Sequence, residues 1–97
     1  MSGQIGIAPD GMVLESFEDQ CNQAMANVEA LLSDAGLKRD SILRVTYYLT
    51  DAQDLAALGK IRNARWGSEQ PPAVTTLVVA ALAAPELQVE IEVVAGV

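Results

Sequence analysis

Two strongly apolar segments, residues 74–83 and 87–95, constrain the fold of this chain more than any other feature. The first is almost continuously apolar, which is typical of a strand buried on both of its faces. The second alternates, with apolar residues such as Val89 and Ile91 at every other position. The pattern predicts two strands joined as a terminal hairpin. Because a chain of 97 residues has a small core of its own, we expect it to function as an oligomer.

A long amphipathic helix is predicted well before these strands. Apolar residues recur at three- and four-residue spacing from Phe17 to Ala35, which defines one face of a helix. Ser16 suits the N-cap, Asp19 occupies the capping-box position, and Gly36 suits the residue that follows a helix. The segment therefore predicts the first helix together with both of its ends.

The remaining segments complete a single domain over residues 1–97. A short apolar run at residues 4–8 and an alternating run at 42–50 predict two further strands. A second helix follows Asp51 and ends near Gly67. The order is β-α-β-α-β-β, an α+β fold with two helices on one face of a mixed sheet. The other face is too apolar for water, so we expect another copy of the sheet to cover it.

Composition excludes several classes of function. The chain has 13 acidic and 6 basic residues and a net charge of −7, which disfavours a nucleic-acid partner. It contains no histidine, so histidine bases and histidine metal sites are excluded, and we expect neither a metal nor a cofactor. The single cysteine, Cys21, together with the absence of a signal-peptide pattern and of a membrane-spanning run, predicts a cytoplasmic protein.

Glu90 and Glu92 are the clearest candidates for chemistry, because both fall on one face of the last predicted strand. Paired carboxylates can serve as acid and base, but solvated strand residues or interface residues have the same spacing. Thr76 could donate a hydrogen bond to a ligand, although hydroxyls are ordinary in strands. Cys21 is interpreted as a core residue, since a nucleophile needs a basic neighbour.

Two further features receive structural interpretations. Arg62 and Arg65 in the second predicted helix are interpreted as a solvated face, with Trp66 as partial cover. The glycines of Ser-Gly-Gln-Ile-Gly at residues 2–6 do not lead into a helix, as a phosphate-binding loop requires. Neither feature indicates a nucleotide site.

Several motifs together resemble the RidA/YjgF family, and the resemblance runs essentially from end to end. The matching segments are residues 2–6, 31–36, 40–51, 72–73, 79–82 and 87–93. The resemblance implies a chorismate-mutase-like fold, a homotrimer whose sheets pack together, and ligand clefts between subunits. For the better-known members it also implies hydrolysis of enamines and imines, such as 2-aminoacrylate, to 2-oxo acids and ammonia. The family's older description as a ribonuclease is disfavoured by the acidic charge.

The resemblance also implies a set of site residues. Ser2, Gly3, Val74 and Thr76 match substrate-binding positions, and Glu90 matches a glutamate thought to position the hydrolytic water.

Three departures accompany these matches. Val74 stands where the family has the arginine that binds the substrate carboxylate, and valine cannot make that bidentate contact. Gly59 aligns with an asparagine of the second helix. The strand region before Ser-Gly-Gln, with its cleft tyrosine, is not found in this sequence. Two functions therefore stay open: non-canonical binding of a small metabolite, or a hydrolase of the enamine/imine deaminase type that uses Glu90 and water.

Overall fold

The computed structural model describes residues 4–67 and 71–96 and shows two helices on one face of a four-stranded mixed sheet. None of the helices in this part of the chain has the length and apolar character needed to cross a membrane. The order confirms the predicted β-α-β-α-β-β arrangement. The elements are β1 (Gln4–Ile5), α1 (Phe17–Asp34), β2 (Ile42–Leu49), α2 (Leu55–Trp66), β3 (Ala73–Val78) and β4 (Val89–Ala95).

Helix α1 begins and ends where its sequence predicts. The Ser16 hydroxyl accepts a hydrogen bond from the Asp19 backbone N–H at 3.0 Å, which satisfies one of the free donors of the first turn. Gly36 follows the helix with a φ of 73°, a left-handed conformation that glycine adopts without steric cost. Both caps are therefore confirmed.

The sheet has the order β1-β4-β2-β3, so the predicted terminal hairpin is wrong. Strand β2 lies between the last two strands and pairs with β3 in parallel and with β4 in antiparallel orientation. The connection between β3 and β4 passes the end of β2. Val79 N–H donates to the Leu49 carbonyl at 2.7 Å, and Thr50 N–H donates to the Gln88 carbonyl at 3.3 Å. Alternation along a strand reveals its faces, but it carries no information about which strand is its neighbour.

Strand β3 is shorter and more exposed than its sequence predicts. It ends at Val78 rather than at residue 83, and the segment beyond is rich in alanine, which has a low preference for strands. Its predicted burial on both faces is wrong for the single chain, where Leu77 and Val78 are nearly half exposed. The apolar run therefore marks an edge strand whose cover does not come from the described residues of this chain.

The two faces of the sheet differ sharply in burial. Apolar side chains of β2 and β4 face the helices and form the core; they include Val45, Tyr47, Leu49, Val89, Ile91 and Val93. We call the opposite side of the sheet the open face. The strand register places Thr46, Tyr48, Thr75, Leu77, Glu90 and Glu92 on it.

Gln20 ties the segments that precede α1 and β4 to α1. Its side chain is buried, with only 1% exposed. The amide nitrogen donates to the carbonyls of Leu14 at 2.8 Å and Glu86 at 2.9 Å, and the amide oxygen accepts from the Gln88 N–H at 2.8 Å. Gly6 packs directly on this residue, because a Cβ at Gly6 would lie 2.5 Å from the Gln20 Cα. Close packing therefore explains one glycine of the residue 2–6 motif.

Candidate functional site

Glu90 lies on the open face in the middle of the sheet. Its neighbours across the strands are Ile5 of β1 and Tyr48 of β2. The side chain is part-buried, and within the described residues its carboxylate has no hydrogen bond or ion pair. Glu92 shares the face, as the sequence predicts, but it accepts a long hydrogen bond of 3.5 Å from the Tyr48 hydroxyl. Glu90 is thus the carboxylate of the two that is available to a water or a ligand.

Val74 and Thr76 lie on the helix-facing side of the sheet, away from Glu90. The register pairs Val74 with Val45 and Thr76 with Tyr47, and both partners face the helices. Strand β2 lies between β3 and β4, so two strand spacings, about 10 Å, separate these residues from Glu90, which also lies on the opposite face. One chain therefore does not bring the candidate residues together. Ser2 and Gly3 lie outside the described residues.

A cavity of about 290 Å³ lies between α2 and the beginning of β3. We call it the α2–β3 cavity. Val45 and Val74 line it from the sheet, and Arg62 and Trp66 line it from the helix. Its size is close to the lower limit for pockets that hold small organic molecules. Val74 is therefore an apolar part of a cavity wall.

The end of α2 that borders this cavity is fixed to α1 by Glu29. Arg65 Nη2 lies 2.7 Å from Glu29 Oε1 and Arg65 Nε lies 3.2 Å from Oε2, while Trp66 Nε1 donates to Oε2 at 2.8 Å. Arg65, predicted to be on a solvated face, is therefore paired with Glu29, and Trp66, predicted as partial cover, is buried and bonded to the same carboxylate. Their shared partner is far away in the sequence, so no local pattern indicates it. Arg62 lines the cavity instead of lying in open solvent.

This contact predicts a change in acid stability. Burial raises the pKa of Glu29, but hydrogen bonds from Arg65 and Trp66 outweigh it, so the pKa is lowered overall. Stability from Glu29 is then present above its unfolded-state pKa and is lost as the pH falls through the lower folded-state value. We expect Glu29→Gln to be less stable at neutral pH and to lose less stability on acidification. Urea unfolding from neutral pH to about pH 3 measures both effects.

Glu86→Gln is the matched control, because it makes the same charge change at an exposed position outside the helices. It should follow the acid dependence of the unmodified protein. Parallel acid dependence for Glu29→Gln and the unmodified protein would contradict the role given to Glu29.

Cys21 is a core residue, as predicted. It is fully buried on α1, and burial raises the pKa of its thiol to about 11 despite the nearby charge of Arg65. The thiolate, which is the nucleophilic form, is therefore scarce at neutral pH.

Comparison with known proteins places the chain among relatives of similar fold. The family model described as Endoribonuclease L-PSP matches residues 1–97. The RutC family protein of Aquifex aeolicus is 47% identical over 62 residues, which cover 63% of this chain and 50% of that protein. The RutC family protein YoaB of Escherichia coli strain K12 is 35% identical over 89 residues, which cover 92% of this chain and 76% of that protein. The chain thus spans half the length of the first relative and about three quarters of the second.

Solved structures give the same relationship. The crystal structure of RidA from the Antarctic bacterium Psychrobacter sp. PAMC 21119 superposes with a TM-score of 0.94 at 33% identity. The match covers 100% of this chain and 78% of that one. Sequence and fold agree over the whole chain, and the chain therefore belongs to the RidA/YjgF family, described by its family model as Endoribonuclease L-PSP.

Proposed function

We propose that this protein is a cytoplasmic homotrimer that binds a small metabolite in a cleft between subunits, without the deaminase chemistry of its better-known relatives. The observation that carries the proposal is the place of Val74 on the wall of the α2–β3 cavity. The family resemblance assigns a carboxylate-binding arginine to this position, and valine offers only an apolar surface. A ligand held here is therefore bound differently from the substrates of those relatives.

The arrangement of the candidate residues supports a cleft that two subunits complete. Val74 and Thr76 face the helices at the sheet edge, whereas Glu90 lies on the open face. A second copy that covers the open face could bring its own edge strand toward Glu90. Exposed apolar side chains in this region, including Leu77 and Val94, favour such cover because they are costly to leave in water.

Deamination by Glu90 is the second candidate. The carboxylate is part-buried and, among the described residues, free of side-chain partners, so it could orient a water molecule. Water would add to the imine carbon of the tautomerised enamine, and ammonia would leave to give the 2-oxo acid. The net charge of −7 disfavours the ribonuclease activity in the family model's name, because the substrate would be a polyanion.

An assay with freshly generated 2-aminoacrylate distinguishes the two candidates. We expect ammonia and 2-oxo acid to form at the rate found in buffer, since the anchoring arginine is replaced by Val74. Positioned acid–base catalysis contributes about a hundredfold or more. Turnover of that size, lost in Glu90→Gln and retained in Glu92→Gln, would overturn the binding proposal and establish the deaminase. Glu92→Gln is the matched control because it removes the same charge from the same face.

A further inference from the structure

Arg62 is an unusual arginine for a chain with 13 acidic and 6 basic residues. It is part-buried on the wall of the α2–β3 cavity. Yet across residues 4–67 and 71–96 it has no carboxylate or carbonyl partner, whereas Arg65 one turn away is paired with Glu29. Partial removal of a guanidinium from water is unfavourable when no partner replaces the lost hydration. The cavity wall therefore contains a cation whose donors find no partner in the part of the chain that the structure describes.

Tyr47 lines the same cavity and carries a buried donor that has no partner among the described residues. It lines the cavity from β2 and is 0% exposed, and its hydroxyl is a buried polar atom without a hydrogen-bond partner among the described residues. Burial raises the pKa of this phenol well above its usual value, although the nearby charge of Arg62 acts against the shift. The hydroxyl is therefore protonated at neutral pH and able to donate. A buried, unpaired hydroxyl costs about 1–3 kcal/mol, so its retention calls for an explanation.

Apart from the polar side chain of Asn63, the remaining walls are apolar. Trp66 and Val74 contribute flat and branched hydrocarbon surface, and Pro71 and Pro72 close one side of the cavity. One cation, Arg62, accompanied by neutral polar groups, Tyr47 and Asn63, suits a ligand group with one negative charge and two acceptor oxygens. The apolar walls suit a ligand with an apolar body. A small, fully hydrated anion such as phosphate would make little favourable contact with them.

We propose that the α2–β3 cavity binds a small organic monoanion with an apolar body, such as a short-chain carboxylate, through the guanidinium of Arg62 and the hydroxyl of Tyr47. The apolar part of the ligand lies against Trp66 and Val74. This inference names the class of ligand for the binding function proposed above and rests on that function. In this proposal Arg62 of α2 and Tyr47 of β2 bind the negative charge of the ligand, which Val74 of β3 cannot do.

Trp66 allows a direct test, because it is the only tryptophan of the chain and lines the cavity. The full chain is titrated with butanoate while the fluorescence of Trp66 is recorded. Butanamide is the uncharged analogue, and inorganic phosphate is the anion without an apolar body. We expect a saturable change with butanoate and at least roughly tenfold weaker binding of both other probes, since a charge-assisted contact is lost or the apolar contact is missing.

The variants assign this binding to the proposed donors. Arg62→Gln should weaken butanoate binding by roughly tenfold or more. Lys60→Gln is the matched control, because it removes one positive charge from an exposed position of the same helix and should bind as the unmodified protein does. Tyr47→Phe should weaken binding several-fold and raise the melting temperature of the free protein, since it removes an unpaired buried hydroxyl. A hydroxyl with a purely structural role would lower the melting temperature and leave binding unchanged.

The inference is overturned if butanoate gives no saturable signal, if butanamide or phosphate binds as well as butanoate, or if Arg62→Gln binds like Lys60→Gln. Its failure is distinguishable from failure of the proposed function. Deaminase turnover together with Arg62-dependent binding would overturn the proposed function and leave the ligand assignment in place. Absence of turnover together with butanoate binding that does not depend on Arg62 would overturn the ligand assignment and leave the proposed function in place.

Discussion

Replacing Leu77 with aspartate is expected to convert the proposed homotrimer into monomers. Leu77 lies on the open face of β3, next to Tyr48, and 46% of it is exposed in the single chain. If another subunit covers this face, aspartate would place an unpaired charge in an apolar contact. Such a charge costs about 3 kcal/mol, which weakens each interface by about a hundredfold. Sedimentation equilibrium at micromolar concentration should then give the 10.3 kDa mass of one chain.

Leu55→Asp is the matched control for this change. Leu55 is also 46% exposed, but it lies in the first turn of α2, where a negative charge is favourable. This variant should keep the mass of three chains. A trimeric Leu77→Asp variant would show that the open face is not the subunit interface, and a monomeric unmodified protein would remove the oligomer from the proposal altogether.

Replacing Gln20 with leucine is expected to cost about 3 kcal/mol of unfolding free energy. The change keeps a buried side chain of similar length but leaves two carbonyls and one N–H without their partners. Each broken hydrogen bond of this kind costs about 1 kcal/mol or more. A small domain has roughly 5–15 kcal/mol in total, so the loss is a large share of its stability. Urea unfolding at one fixed protein concentration measures it, because oligomer stability depends on concentration.

Gln23→Leu makes the same chemical change on the same helix and serves as the control. Gln23 is only part-buried and donates one hydrogen bond, at 2.9 Å, to the side chain of Asn27. It should cost less than about 1 kcal/mol. Equal losses for the two variants would refute the role of Gln20 as the link between α1 and the segments that precede α1 and β4.

Local features of the fold were predictable from the sequence because they depend on neighbouring residues. The cap at Ser16, the glycine at position 36 and the shared face of Glu90 and Glu92 all follow from short spacings. The neighbours of β4 were not predictable in this way. Its pairing with β2 instead of β3 depends on contacts between segments about 45 residues apart, which alternation does not record.

The candidate site shows the same division. Strand alternation and the family resemblance both indicate Glu90, and its catalytic role stays a proposal. The sequence predicts a solvated Arg62, because a helical arginine is usually exposed, and only the tertiary fold places it with Tyr47 beside one cavity. The missing signal was the tyrosine: its position on the helix-facing side of β2 predicts a buried hydroxyl that needs a partner.

The sheet order has a consequence for synthesis of the protein on the ribosome. Strand β4 is the last described strand to be translated, yet it lies between β1 and β2 and is the only described neighbour of β1. The nascent chain can form α1 early, but β1 has no strand to join until residues 89–95 have left the exit tunnel. Strand β2 likewise lacks its antiparallel neighbour β4 until then. Completion of this sheet is therefore a late event, and until it occurs the emerging chain exposes apolar surface that favours aggregation.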